Sequence, residues 1–516
     1  MLDSRGDGLD LSDEAELNLY ETIGYLVGMP NVPVTVQVRH LDSVLRPQMM
    51  KLSVTLATAS AALGGGGGDK GDNDAAAAEL AASVGAMANV SKGFKTVVAP
   101  EVQTMFFQAL EAAKSAIAAF SQHVALRAKT MFLVHGLVPC LGEGLLKQLS
   151  LRTLLILVQE GDGKDLMEVT HLLNQLMIEF GPKAAQLLDG VLLPFARRAY
   201  QLMPGTGFTS VATCDPNTQD SANRMLHAVR EGHCIGFPSG GWPAFTNEAD
   251  KSVDMGLPGR GVDGMGTAIP PQLLPHEAAE RSGVLKLYLS VIQHLSSNGL
   301  AGVLSSPTNG PHLDSVLRSV LGGISGAEDA ATKKMSLYIF SLLLGGFNRG
   351  RSGGSEVGNG GGATPAATKA VGGAEGTGAA AGAVVQRRAL VGKGGGLWQG
   401  MGATVDMEPA VQAAVTAFAL EEVVPASLRC LMDEPLVGLD LRDATAMSAV
   451  VHMGALLKEA RSASGGSAGF VGAAAVACKC TPQVAEQLQR AVESAADGPA
   501  ITTALKAFAQ HMKPAR

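Results

Sequence analysis

The stretch GDGKDLMEVTHLLNQLMIEFG at 161–181 sets Leu166, Val169, Leu173, Leu176 and Phe180 three or four positions apart, then stops at Gly181 and Pro182. That spacing lines large apolar side chains along one face of a helix and leaves the other face polar. Glycine then ends the helix, and proline cannot extend its hydrogen-bond ladder. A second apolar-striped segment follows at once, KAAQLLDGVLLPFARRAYQLMP at 183–204. Two helices in about 40 residues is the period of stacked helical repeats. One such pair cannot bury its own apolar faces, so it must pile onto similar neighbours. The expected fold class is therefore all-α: a HEAT-like helical-repeat solenoid, or superhelix, interrupted by Gly-rich insertions.

The same texture recurs elsewhere. In LRAKTMFLVHGLVPCLGEGLLKQL at 126–149, Met131, Val134, Val138, Leu141, Leu145 and Leu149 form one stripe broken by Pro139, Gly142 and Gly144. This predicts a helix over 123–141 and a partner over 145–159, with Pro139 ending or kinking the first. Ser12 is placed to cap a helix over 12–28, whose Leu17, Tyr20, Ile23 and Val27 keep helical spacing. Further helices are expected over 34–58, 79–96, 102–120, 276–298, 312–322, 328–346, 405–431, 442–463 and 481–512. Aromatics make up only 4% of the chain and β-branched alternation is scarce, which suits helices better than sheets.

Glycine-rich segments divide the chain. GGGGGDKGDNDAAAA at 64–78 reads as a short disordered insertion, because glycine loses most entropy on ordering and offers nothing to pack. The larger division is into helical repeats over 1–204, an irregular Gly/Pro-rich insertion over 205–275, repeats over 276–346, a Gly-rich disordered segment over 347–400, and C-terminal repeats over 401–516. Trp242 and Trp398 fall in or beside these insertions, which makes neither a core anchor. The six cysteines are thinly spread, and the acidic first residues, MLDSRGDGLDLSDEAE, do not form a secretory signal. Apolar runs such as SLYIFSLLL at 336–344 fall short of the ~20 residues that span a bilayer. A soluble nuclear or cytosolic protein with reduced thiols is expected, without membrane insertion.

Motifs that could carry chemistry give way on inspection. His135 and Cys140 lie five positions apart, an offset that does not bring two side chains together on a helix. GGSAG at 465–469 matches the nucleophile elbow around Ser467, but that elbow needs a preceding strand, and the preceding segment reads as helix. GNGGGA at 358–363 lacks the βαβ unit of a dinucleotide site, and neither GDKGD nor VGKGGG supplies the Lys followed by Ser or Thr of a phosphate loop. Cys478 and Cys480 offer a CxC pair with no neighbouring histidine or second pair. The sequence therefore points to a protein that is not an enzyme and that has no cofactor or metal.

Charge is more informative. The chain carries a net −7, so any contact with nucleic acid must come from local patches. Residues 91–152 hold seven basic side chains (Lys92, Lys95, Lys114, Arg127, Lys129, Lys147, Arg152) against Glu101, Glu111 and Glu143, while residues 1–51 hold eight acidic and four basic. Equivalent positions in successive repeats line one surface, so these cations could form a track for phosphates. An ordinary solvated helix face is the competing explanation.

DEAELNLYETIGYLVG (13–28), VSKGFKT (90–96), LRAKTMFLVHGLVPCLG (126–142) and LLNQLMIEFGPKAAQLLDGVLLPFARRAYQLMP (172–204) occur in the order and at about the spacing seen in the central to C-terminal half of the exportin-T family. The chain resembles that half over residues 10–204, and more thinly through KKMSLYIFSLLL (333–344), VVHMGALLKEA (450–460) and PAITTALKAFAQHM (499–512). Pro139 departs from the pattern, and the Gly-rich insertions are foreign to it. The resemblance implies a karyopherin superhelix that binds tRNA together with Ran in its GTP form, meets nuclear pore proteins, and shuttles between nucleus and cytoplasm. It also implies that the chain begins part-way through the superhelix, without the N-terminal arch that makes most of the Ran contact. By matching motif, Lys92, Lys95, Arg127, Lys129, Arg197 and Arg198 become candidates for gripping the tRNA backbone. Two alternatives stand beside this: an exportin-class scaffold carrying a protein cargo, and a hydrolase using Ser467.

Overall fold

The computed structural model describes residues 12–64, 70–203, 275–325, 329–352, 408–432 and 439–512. The described residues are helical and contain no strand. The first half runs α1 (Asp13–Val27), α2 (Val34–Gly64), α3 (Lys70–Ser91), α4 (Pro100–Ala119), α5 (Val124–Leu141), a short α6 (Glu143–Gln148), α7 (Leu151–Gln159), α8 (Gly163–Phe180) and α9 (Ala185–Leu202). The second half runs α10 (Pro275–Ser297), α11 (Leu313–Ser325), α12 (Ala330–Ser352), α13 (Pro409–Phe418) joined through a π-turn to α14 (Val424–Arg429), α15 (Ala444–Ala463), α16 (Gly469–Ala477), α17 (Pro482–Ser494) and α18 (Gly498–Met512).

These helices form two rows. One row passes through α2, α4, α7 and α9 and continues along α11, α14, α16 and α17; the other passes α1, α3, α5, α8, α10, α12, α15 and α18, each beside the next. A single apolar core runs between the rows, from Tyr20 and Leu41 at one end to Leu505 and Phe508 at the other. Burying each of these large side chains contributes about 1.5–3 kcal/mol. Continuity from repeat to repeat therefore holds the fold.

Local chemistry sets the helix ends. Ser12 Oγ accepts from the Ala15 amide at 3.3 Å, as its position predicts. Asp162 and Asp165 build a reciprocal capping box at the start of α8, and Gly181, at φ +50°, closes that helix. A neighbouring residue with a side chain would be strained at that angle.

Several boundaries differ from expectation for clear reasons. The expected partner helix over 145–159 is two pieces, α6 and α7, because Ser150 caps a new start with its Oγ on the Thr153 amide at 3.2 Å. Pro139 lies inside α5, which continues to Leu141. The segment expected to be disordered over 64–78 is helix from Lys70 onward, where four consecutive alanines have the highest helix propensity. The helix expected over 481–512 is divided at Ala495–Asp497, where Asp497 caps α18 through the Ala500 amide at 2.9 Å. Short α16 was not expected at all. Helix α12 runs on to Ser352, into the segment expected to be disordered over 347–400. The residues after Ser352 in that segment, the insertion expected over 205–275 as far as residue 274, Trp242, Trp398, Cys214 and Cys234 lie outside the described residues. Two helical stretches, Val124–Leu141 and Pro409–Arg429, are by length and composition apolar enough to cross a bilayer, which the single-run count did not foresee. In α5 that apolarity faces α3, α4 and α8, so it belongs to the core.

Candidate nucleic-acid interface

Helix α1 sits on α3 through glycines. A Cβ built on Gly93 would lie 2.0 Å from the carbonyl of Gly24, and one on Gly24 would lie 2.2 Å from the Val90 carbonyl oxygen. Only hydrogen at both positions permits so close a backbone contact. The approach brings the polar edge of α1, carrying Leu17, Glu21 and Tyr25 at successive i+4 positions, against the end of α3 and the start of α5.

Three lysines gather along that edge, each from a different segment. Lys129 of α5 lays its stem across Gly85 of α3, where a Cβ would meet Lys129 Cδ at 3.3 Å and Leu17 Cδ2 at 3.7 Å. Lys92, just past α3, places Nζ 2.7 Å from Glu21 Oε2 and 4.6 Å from the centre of the Phe132 ring. Lys95 holds Nζ 5.5 Å over the ring of Tyr25. Positions 17, 21 and 25 rise by about 6 Å each along a helix. The Lys129 stem and the Lys92 and Lys95 ammonium groups therefore follow one another along α1.

The intervening sequence explains how the row is held. In SKGFK, Gly93 makes the close contact to α1 and Phe94 is buried, meeting Phe106 of α4 edge-on with ring centres 5.1 Å apart. The amide of Val98 donates to the Cys140 carbonyl at 3.0 Å and ties the following loop to α5. With Phe94 turned inward, Lys95 is left exposed. Cation–π contacts keep an ammonium oriented without cancelling its charge. Tyr25 has its hydroxyl pushed to a higher pKa by burial and by the neighbouring Glu21 carboxylate.

The remaining expected cations are elsewhere. Arg127 is buried: its Nη2 lies 2.8 Å from Asp165 Oδ2 and its Nη1 donates to the Ser121 carbonyl at 2.8 Å. It joins two repeats and presents no surface for RNA. Arg198, in the other row, donates from Nε to the Gly161 carbonyl at 3.0 Å. Burial lowers the pKa of both Arg197 and Arg198, with Glu160 partly opposing the shift at Arg198. Lys114 is tied to Glu111 and to the Gln148 carbonyl. The seven basic residues of 91–152 thus do not line one surface, because repeats present two rows and a cation can be used to join them. Lys92, Lys95 and Lys129 come together; Arg127, Arg197 and Arg198 do not join them.

Glu21, Tyr25 and Phe132 escaped sequence reasoning. The i+4 spacing of Glu21 and Tyr25 was visible, but what crosses α1 was not. The other motifs have structural surroundings. His135 Nδ1 is 2.7 Å from Gln175 Oε1, joining α5 to α8. Ser467 lies in a loop after two positive-φ glycines, with its Oγ accepting from the Gly469 amide, and no strand precedes it. Cys478 Sγ contacts the Pro425 carbonyl and Cys480 Sγ contacts Met512 Sδ. Among the described residues no three His, Cys, Asp or Glu side chains converge as a metal site would need.

Comparison with known proteins adds a relationship. The Exportin-T family model matches residues 3–207. The chain is 26% identical to Exportin-T of Aspergillus niger over 196 residues, which cover 36% of this chain and 18% of that protein. It is similarly 26% identical to Exportin-T of Arabidopsis thaliana over 197 residues, covering 37% and 19%. The match to Exportin-T of Dictyostelium discoideum is 22% over 357 residues, covering 65% and 26%. The matched stretch thus spans about a fifth to a quarter of the length of these relatives. It contains α1 to α9 and all three gathered lysines.

Proposed function

We propose that the chain is related to the exportin-T family, whose model matches residues 3–207, and that it forms part of a nuclear export receptor for tRNA. It binds tRNA together with Ran in its GTP form, passes through the pore by contact with nuclear pore proteins, and shuttles between nucleus and cytoplasm. The observation that supports this reading is the row of Lys92, Lys95 and Lys129 along α1. A row of ammonium groups suits a phosphate backbone, since each contact releases counterions and none requires a particular base. Duplex RNA is read mainly in this way, by shape and backbone. Binding and release are the whole activity, with no bond made or broken by the chain.

The test is filter binding of tRNA to the full chain over a salt series, with and without Ran and GTP. Affinity that falls steeply with salt, and rises when Ran and GTP are added, is expected. Absent or salt-independent tRNA binding overturns the reading and favours a scaffold for protein cargo.

A further inference from the structure

Glu21 is the one acidic partner seen within the lysine row. Its Oε2 stands 2.7 Å from Lys92 Nζ, with the two side chains 27% and 30% exposed. One helical turn along α1 stands Tyr25, whose ring underlies Lys95. The carboxylate therefore touches the middle cation directly and lies one turn from the ring beneath the third. Lys129 is the remaining member, beside Leu17 one turn earlier.

We propose that Glu21 restrains the RNA grip of this surface, occupying Lys92 so that an incoming phosphate must displace a carboxylate to gain the contact. This rests on the tRNA reading above. A phosphate near Lys92 meets repulsion from Glu21 as well as attraction from the lysines, and the pair must open before counterion release yields any free energy. The row then acts with two fully available charges and a third held in reserve. Lys92 keeps its position when Glu21 moves, because the Phe132 ring below it supplies a second, uncharged attachment. The consequence is a grip weak enough to let go.

Glu21→Gln removes the charge and keeps the shape. Filter binding of tRNA to the full chain, wild type and variant, over the same salt series reads the effect. The variant should bind about three- to tenfold more tightly at low salt, and its logarithmic salt slope should steepen by about 0.7–0.9, the amount expected for one added phosphate contact. Adding Lys92→Ala to Glu21→Gln should abolish the gain, and unchanged thermal melting shows that the fold is intact. Equal affinity and slope in the variant overturn the proposal. Weaker binding does so too, because it would make Glu21 a support for the lysines. If neither wild type nor variant binds tRNA, the function reading itself falls.

Discussion

Arg127 and Asp165 form an ion pair that is almost wholly out of water, at 2.8 Å, with side chains 3% and 4% exposed. The pair links the start of α5 to the start of α8, and Asp165 also accepts from the Asp162 amide at 3.3 Å. Asp162 is held below the usual carboxylate range chiefly by the Asp165 amide, with Arg127 contributing. Removing one partner leaves the other buried and uncompensated, at a cost of about 3–5 kcal/mol. Asp165→Ala should therefore lower the melting temperature sharply. Replacing both partners with apolar residues, Arg127→Met with Asp165→Leu, should recover much of that loss. A double variant no more stable than Asp165→Ala would refute this.

The lysine row makes a second expectation. Lys92→Ala, Lys95→Ala and Lys129→Ala together should reduce the salt slope of tRNA binding by roughly 1.4–1.8 units, at about 0.7–0.9 for each of the two contacts that Lys95 and Lys129 make while Glu21 occupies Lys92. Melting should change little, because these side chains lie at the edge of the core. A slope identical to wild type would remove the row from the interface.

Gly93 is expected to tolerate no side chain. Gly93→Ala drives a methyl group into the Gly24 backbone, where neither partner can rotate away. Overpacking of this kind costs about 1–3 kcal/mol, and a backbone obstacle puts it at the upper end. Hydrogen exchange should show α1 losing protection ahead of α8. Uniform protection across both helices would contradict the expectation.

Acid should loosen the joint between α10 and α12. Burial opposes the charged form of Asp329, yet Lys286, the Thr332 amide and Ser282 together hold its carboxyl well below the usual range. Lys286 Nζ approaches to 2.5 Å and the Thr332 amide to 2.8 Å. A depressed folded-state pKa gives stability that is complete above the unfolded value of about 3.9 and is lost as pH falls below it. Between pH 5 and pH 2 the melting temperature of wild type should fall further than that of Asp329→Asn. Parallel curves would count against the assignment.

Cys140 should be inert. Burial pushes its thiol up to about 12, and its Sγ rests 3.5 Å from the carbonyls of Gly136 and Leu137. Almost no thiolate exists at pH 8, and thiolate is the nucleophile. Mass spectrometry after treatment with iodoacetamide should find Cys140 unmodified in native protein and modified after denaturation.

The helical-repeat fold was legible because the signals for it are local. The spacing of Leu166, Val169, Leu173, Leu176 and Phe180 states which face is buried, and all five are buried. Ser12 and Gly181 mark helix ends through their own geometry. Helix breaks within a continuous apolar stripe were harder to read: Leu145 and Leu149 belong to the stripe, but the cap at Ser150 divides their helix from the next. The interface was only half legible. Basic side chains are visible in sequence, yet whether one meets solvent or a buried aspartate depends on residues such as Asp165, 38 positions away. The lysine row depends on Glu21 and Lys92, 71 positions apart. Pairings across helices leave no periodic trace.

The narrow glycine seam between α1 and α3 has one more consequence. The lysines are contributed by α5 and by the turn and loop just past α3, and they line up only because α1 lies close enough to serve as their common edge. A nascent or heat-loosened chain has the same positive charges but no such alignment. Competence to hold a polyanion is therefore acquired late, with tertiary closure, and it is lost when α1 lifts away from α3.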